Sequence, residues 1–168
     1  MKRFPARHDS VFYDGTASGY NELYGREQAR KLAIVKSNVR IRPETRLLDV
    51  GCGTGLSSDF GCFVVGVDPS IELIKLNPNK KVRGVGEKLP FKDNSFDFVV
   101  SLTAIHNFTD YESAIMEMAR VSRHYIIIGL LKRAKGYEEI AVAIRRKLRV
   151  EKTISEEKDT LFFCAKYK

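Results

Sequence analysis

The sequence predicts an α/β protein with a doubly wound, mostly parallel sheet, helices on both faces and an antiparallel strand at the C-terminal end. Three observations carry this reading. Apolar runs of strand length alternate with helix-like segments. The first of those runs, Leu47 to Val50, opens directly into a turn with glycine at every second position, Gly51-Cys52-Gly53-Thr54-Gly55. The last two runs are joined by a short polar stretch with no room for a helix.

Residues 1–42 are expected to form an N-terminal arm or lid and a helix, and residues 43–168 the core of a single domain. The first 20 residues hold many Gly, Ser, Asp and aromatic residues without a period, as in a loop or a flap that closes over a site. There Tyr13, Tyr20 and Tyr24 either pack the arm onto the domain or touch a ligand. From Asn21 the pattern turns helical, with Ala29, Leu32, Ala33 and Val39 on one face and Arg26, Arg30, Lys31 and Lys36 largely elsewhere. Pro43 marks the approach to the first strand.

Residues 51–61 must carry both the glycine turn and a crossover, which leaves a helix of two turns over Thr54 to Phe60. Cys62 to Asp68 is the second strand, and Ser70 is placed to cap the helix IELIKL, which Asn77-Pro78-Asn79 closes. Lys81 to Val85 reads as the third strand and Phe96 to Leu102 as the fourth. Thr109 to Glu112 reads as a capping box ahead of a helix whose Tyr111, Ile115, Met118, Ala119 and Ser122 share a face. A fifth strand comes next at Tyr125 to Leu131, and a helix at Lys135 to Lys147 turns Tyr137, Ile140, Ala141 and Ile144 inward. Arg149 to Ile154 and Thr160 to Tyr167 close the chain as an antiparallel pair.

The glycine turn is a place for a ligand, because alternate glycines take positive φ and let a molecule lie against the main chain. Asp68 ends the second strand 17 residues beyond Gly51. In an open α/β sheet such an acidic tip lies beside the turn and can hydrogen-bond both ribose hydroxyls of an adenosine. The pattern is not the dinucleotide fingerprint Gly-x-Gly-x-x-Gly, since Leu56 follows Gly55.

Composition bounds the rest. At 43% hydrophobic and 30% charged residues the chain is an ordinary globular one, with no apolar run long enough to span a membrane. Its start is basic but lacks the apolar core of a secretory signal, so a cytoplasmic protein with no membrane partner is expected. Three scattered cysteines and three scattered histidines support neither a disulfide framework nor a metal site. The formal charge of +8 is uneven: residues 132–152 hold eight Lys/Arg against three Glu. An anionic partner such as RNA fits that stretch, while a solvated helix face explains Arg145, Arg146 and Arg149 without any partner.

These residues resemble the class I S-adenosylmethionine-dependent methyltransferases, in particular the compact type 11 group with a Rossmann-like core. LLDVGCGTG matches that family's first motif, VVGVDPS its second, GEKLPFKDNSFDFVV its third and the start of its fourth, and SLTAIHNF the remainder. The resemblance runs from about Arg46 to Leu131, and the terminal hairpin fits the family's last two strands. It implies S-adenosylmethionine as cofactor and S-adenosylhomocysteine as product, with no metal. It also implies that Asp49, Gly51, Cys52, Gly53, Thr54 and Gly55 line the methionine part, Asp49 orienting the turn and bonding the amino group directly or through water. Asp68 takes the ribose hydroxyls, and Pro69 or Ser70 lies beside the adenine. The family often reads Asp-Ala-Glu where this chain has Val85, Gly86 and Glu87, so adenine selection falls to backbone groups of Gly86 and Glu87. Ser101 and Leu102 flank the sulfonium, and His106 and Asn107 stand where acceptor meets donor, His106 either as a general base or as a packed histidine.

The resemblance leaves the acceptor open. The Asn/Asp-Pro-Pro-Tyr/Phe motif of amine and amide methylation is absent, and the one cysteine after the fourth strand is Cys164, far along the chain, which argues against covalent pyrimidine chemistry. A small-molecule acceptor is the first expectation. A tRNA, rRNA or translation-protein substrate, with a partner subunit or a homodimer, is the second, and a cofactor-binding subunit without activity the third.

Overall fold

The computed structural model describes residues 25–167. Tyr13, Tyr20 and Tyr24 lie outside them. The chain forms a seven-stranded sheet of order β3-β2-β1-β4-β5-β7-β6. The strands are β1 (Arg46–Val50), β2 (Phe63–Asp68), β3 (Lys80–Arg83), β4 (Phe96–Leu102), β5 (Ser122–Leu131), β6 (Arg149–Ser155) and β7 (Asp159–Ala165). Strands β1 to β5 pair in parallel, whereas β7 runs antiparallel between β5 and β6. This is the doubly wound, mostly parallel sheet that the apolar runs predict.

Because both faces of a parallel sheet are covered, its inner strands are apolar on both sides. Leu48, Val50, Val99, Ile126 and Ile128 face one core, under α3 (Tyr111–Val121) and α4 (Tyr137–Lys147). Leu47, Val100, Leu102, Ile127 and Leu161 face the other, with Val35 of α1 (residues 25–38). Helix α2 (Ile71–Leu76) starts where expected: Ser70 Oγ accepts from the Leu73 N–H at 3.2 Å. Strand β3 is an edge, and all four of its residues are exposed.

Several expectations are corrected. The crossover over Thr54 to Phe60 is not a helix but a run of tight turns, with Gly55 N–H donating to Cys52 O and Ser58 N–H to Gly55 O. Positive φ at Gly51, Gly53, Gly55 and Gly61 prevents a helical nucleus in so short a span. Strand β3 ends at Arg83, and Val85 makes only an isolated bridge with Lys88. Asp110 caps α3 in place of Thr109, since its carboxylate accepts from the Ser113 N–H at 3.0 Å. The fully buried face of α3 is Ala114, Ile115, Met118 and Val121, and β5 already starts at Ser122. Helix α1 turns the other way about its axis: Ala29 and Ala33 are exposed, and Lys31 is fully buried. The ammonium of Lys31 turns inward because it pairs there with Asp159, at the start of β7.

No described helix is long and apolar enough to cross a membrane.

Candidate active site

At the carboxyl edge of the sheet, β1 ends in the glycine turn. Gly51 N–H and Cys52 N–H both donate to Val67 O, at 2.7 and 3.2 Å, which ties the turn to β2. Gly51 has φ +77°, and a Cβ there would overlap the Ala104 methyl, so no other residue fits. Gly53 differs. Its φ is +50° and it is buried, but the nearest described atom to a built Cβ is Leu73 Cδ1 at 3.8 Å, an ordinary contact without overlap. Without a Cβ, such a peptide lets another group lie close against the main chain.

Asp68 locks this turn to the tip of β2. Its Oδ2 accepts from Gly53 N–H and its Oδ1 from Ser70 N–H, both at 2.9 Å. A carboxylate offers about four acceptor positions, and these two bonds fix its orientation. Asn77 holds the turn from below: its amide donates to Gly53 O at 3.3 Å while its Oδ1 accepts from Asn79 N–H at 2.9 Å. Asn77 thus does more than close α2, and the sequence carries no signal for it beyond its place before Pro78.

Asp49 is buried behind the turn and accepts from the Ser58 hydroxyl. Burial pushes its carboxyl up to about 7, opposed by the Ser58 bond and reinforced by the nearby charge of Asp68. Burial likewise raises the Cys52 thiol, so this cysteine is a neutral packing group against Gly66. Thr54 is buried in the same turn, and Gly55 lies tight against Asn77.

The neighbouring loops converge on the turn. A Cβ at Gly86 would meet the Phe108 ring at 2.8 Å and Val50 at 3.2 Å, so Gly86 and Phe108 pack face to face. The side chain of Glu87 caps the neighbouring helix: its Oε1 accepts from Thr109 N–H at 2.8 Å and Asp110 N–H at 3.4 Å, at the start of α3. Pro69 O accepts from Arg83 Nε at 3.2 Å. Ser101 and Leu102 are buried at the end of β4, and Ser101 Oγ has no hydrogen-bond partner among the described residues. His106 and Asn107 lie in a 3-10 turn, Ile105–Asn107. Burial pushes His106 down to about 4, against the pull of Asp159 and with the repulsion of Lys31. Its Nδ1 is buried without a partner among the described residues.

Next to this turn stands a cluster that the residue pattern does not announce. Lys31 Nζ, 0% exposed, lies 2.7 Å from Glu27 Oε1, 2.7 Å from Asp159 Oδ2 and 2.5 Å from Thr103 Oγ1. Thr103 donates in turn to Asp159 Oδ1 at 3.1 Å, and Lys158 Nζ reaches Glu27 Oε2 at 2.6 Å. Thr103 has φ +61°, a left-handed conformation that a β-branched residue rarely takes. Such strain costs about 1–3 kcal/mol and persists only where the surroundings over-determine it. Here the Thr103 N–H also donates to Gly129 O at 2.9 Å. The only local sign of the cluster is the four-residue spacing of Glu27 and Lys31.

The comparisons with known proteins bear on this edge of the sheet. A family profile described as a methyltransferase domain matches residues 48–125, from β1 through the start of β5's apolar run. The chain carries the methyltransferase domain of the S-adenosylmethionine-dependent class. A demethylmenaquinone methyltransferase of Streptomyces griseus is 33% identical over 136 residues, which cover 73% of this chain and 59% of that protein. The chain spans about half the length of the curated relatives it matches. Among solved structures, a methyltransferase of Thermotoga maritima superposes with TM-score 0.74 at 21% identity, covering 95% of this chain and all of that one. The Haloferax volcanii protein solved in complex with the Trm112 methyltransferase activator gives 0.76 at 15% identity, covering 92% and 96%. At those identities the structures establish the fold of the methyltransferase domain and nothing finer.

Proposed function

We infer that this domain binds S-adenosylmethionine at the glycine turn and transfers its methyl group to a small-molecule acceptor. The observation that carries the reading is Gly53: a positive-φ glycine whose Cβ position no described neighbour crowds, bonded through its N–H to the carboxylate at the tip of β2. A cofactor with an amino-acid end and an adenosine end fits such a pair. The turn Gly51 to Gly55, with Cys52 and Thr54, would hold the methionine part and Asp68 the ribose hydroxyls. Pro69, Ser70 and Gly86 would border the adenine, and Ser101 and Leu102 the sulfur. Asp49 stiffens the turn through Ser58.

When bound, S-adenosylmethionine supplies a methyl group already activated by its sulfonium. The protein's share is alignment and exclusion of water. His106, pushed down to about 4, is neutral at physiological pH. It is suited to orient an acceptor through a hydrogen bond and is a poor proton acceptor. Asn107 beside it offers a second polar group.

The basic stretch 132–152 is partly paired within the molecule: Arg146 and Lys147 meet Glu112, and Arg149 meets Glu151, while most of its basic side chains stay exposed. The named relatives, demethylmenaquinone methyltransferases, agree with a small acceptor. The deciding experiment is calorimetric titration with S-adenosylmethionine and S-adenosylhomocysteine. Micromolar binding is expected, and its absence in the folded protein would overturn the reading.

A second reading, that a partner subunit completes the protein, is favoured by the exposed edge β3. Val82 on that strand and Ile71 and Leu76 of α2 are exposed apolar residues. Its check is the mass in solution of the purified chain: a monomer that binds cofactor without help would remove the need for a partner.

A further inference from the structure

We propose that the buried ion cluster of Glu27, Lys31 and Asp159 is a positioning device for the methyl-donor site, acting by holding Thr103 in its left-handed conformation. The proposal rests on the methyltransferase reading for what is positioned, and on the structure alone for how.

The three charged residues come from segments far apart in the chain, namely α1 and the first residue of β7, and they close on a single hydroxyl. Lys31 donates to Glu27 Oε1 and Thr103 Oγ1 and forms an ion pair with Asp159 Oδ2 at 2.7 Å. Thr103 Oγ1 is held on both sides, accepting from Lys31 and donating to Asp159. Its backbone N–H is tied to Gly129 O of β5. These bonds over-determine a backbone conformation that threonine disfavours.

The conformation matters because of the residues just beyond Thr103. Ala104 lies against Gly51 so closely that a methyl there would overlap its own, and Phe108 covers both Gly51 and Gly86. His106, whose buried Nδ1 has no partner among the described residues, lies between them in sequence. The direction in which the chain leaves β4 at Thr103 therefore sets the wall of the donor site. A buried ion cluster is a weak source of stability, because apolar residues of like volume often serve as well. Specification of a conformation is a use that such a cluster does serve. The three charged residues are buried and act through Thr103, so they are positioning residues.

The test uses the full chain and S-adenosylhomocysteine as probe, with affinity read by calorimetry well below the melting temperature. Lys31→Met and, independently, Thr103→Val remove the hold on Thr103. Thr103→Val keeps the Lys31–Asp159 ion pair and is the arm to read where Lys31→Met does not fold. If the competent path of the chain falls to about one molecule in ten, the apparent affinity falls about tenfold in each. Glycine takes positive φ without penalty, so Lys31→Met combined with Thr103→Gly is expected to regain most of the wild-type affinity. A merely structural lysine would lower the melting temperature and show no such rescue. Wild-type affinity in Thr103→Val, or no rescue by Thr103→Gly in a folded double variant, would overturn the proposal. The carbon chemical shifts of residue 103, recorded without ligand, give a second readout: left-handed values are expected in the wild type and their loss in Thr103→Val. Their retention in that variant also overturns the proposal. A wild type that binds no S-adenosylhomocysteine defeats the functional reading instead, and the shifts then decide the conformational claim by themselves.

Discussion

The two halves of the sheet's carboxyl edge are held by different means. At β1 and β2 the backbone does most of the holding: Gly51 and Cys52 bond Val67, Gly53 bonds Asp68, and Asn77 bonds Gly53. At β4, β5 and β7 charged side chains do it, with Lys31 joining Glu27, Asp159 and Thr103. A backbone cradle needs glycines at fixed local positions, whereas an ion cluster needs only that distant charges meet. The first half therefore leaves a compact motif in the sequence, and the second leaves almost none.

The largest effect is expected in the charged half. Lys31→Met leaves Asp159 buried and unpaired, which costs about 3–5 kcal/mol of folding stability. Urea denaturation of the variant checks it, and a loss below about 1 kcal/mol would mean that Asp159 is not left as a buried unpaired charge.

In the backbone half, the glycines divide. Gly51→Ala combines positive φ with overlap on Ala104 and is expected to cost about 2–4 kcal/mol. Gly53→Ala meets no neighbour closer than 3.8 Å. It is expected to cost only about 1 kcal/mol in stability, with its main effect on cofactor binding. Equal stability losses in the two variants would contradict the distinction between a glycine whose Cβ would overlap a neighbour and one whose Cβ would not. For Asp68→Ala the expected effect is a loss of cofactor affinity of about tenfold, from charge-assisted hydrogen bonds worth about 1.5–3 kcal/mol. Unchanged affinity in the folded variant would remove Asp68 from the ribose.

The same contrast accounts for which features were legible. Strand β4 runs over Phe96–Leu102 as its apolar run indicates, and Ser70 caps α2, because both signals are local. The glycine turn and Asp68 meet for the same reason. The helix expected over Thr54 to Phe60 failed because the same glycines that form the turn take positive φ and leave too few residues to nucleate a helix. Helix α1 shows the opposite limit. Its alanines looked like the inner face, yet Lys31 turned inward because Asp159, 128 positions away, was waiting with a buried carboxylate. Burial of a lysine is unreadable without its partner. The Glu87 carboxylate likewise finds backbone N–H groups at the start of α3 that only the fold brings near.

The smallest effect is a pair of opposing pH dependences, one in each half. Asp49 rises from 3.8 to about 7 on folding, so its contribution is present below its unfolded pKa and declines as pH climbs to about 7. His106 falls from 6.5 to about 4, so its contribution is present above 6.5 and declines as pH drops toward 4. Each slope is about 1 kcal/mol per pH unit, with opposite sign, and between roughly pH 4 and 6.5 they largely cancel. Mutation separates them. Relative to the wild type, Asp49→Asn is expected to lose more stability on acidification from pH 7 to 5, because only the histidine slope remains. His106→Gln is expected to gain relative stability over the same interval. Urea unfolding of the three proteins at pH 5, 6 and 7 checks both signs. Parallel curves would mean that neither group is desolvated as the structure has it, and one divergent curve would identify which half of the edge admits water.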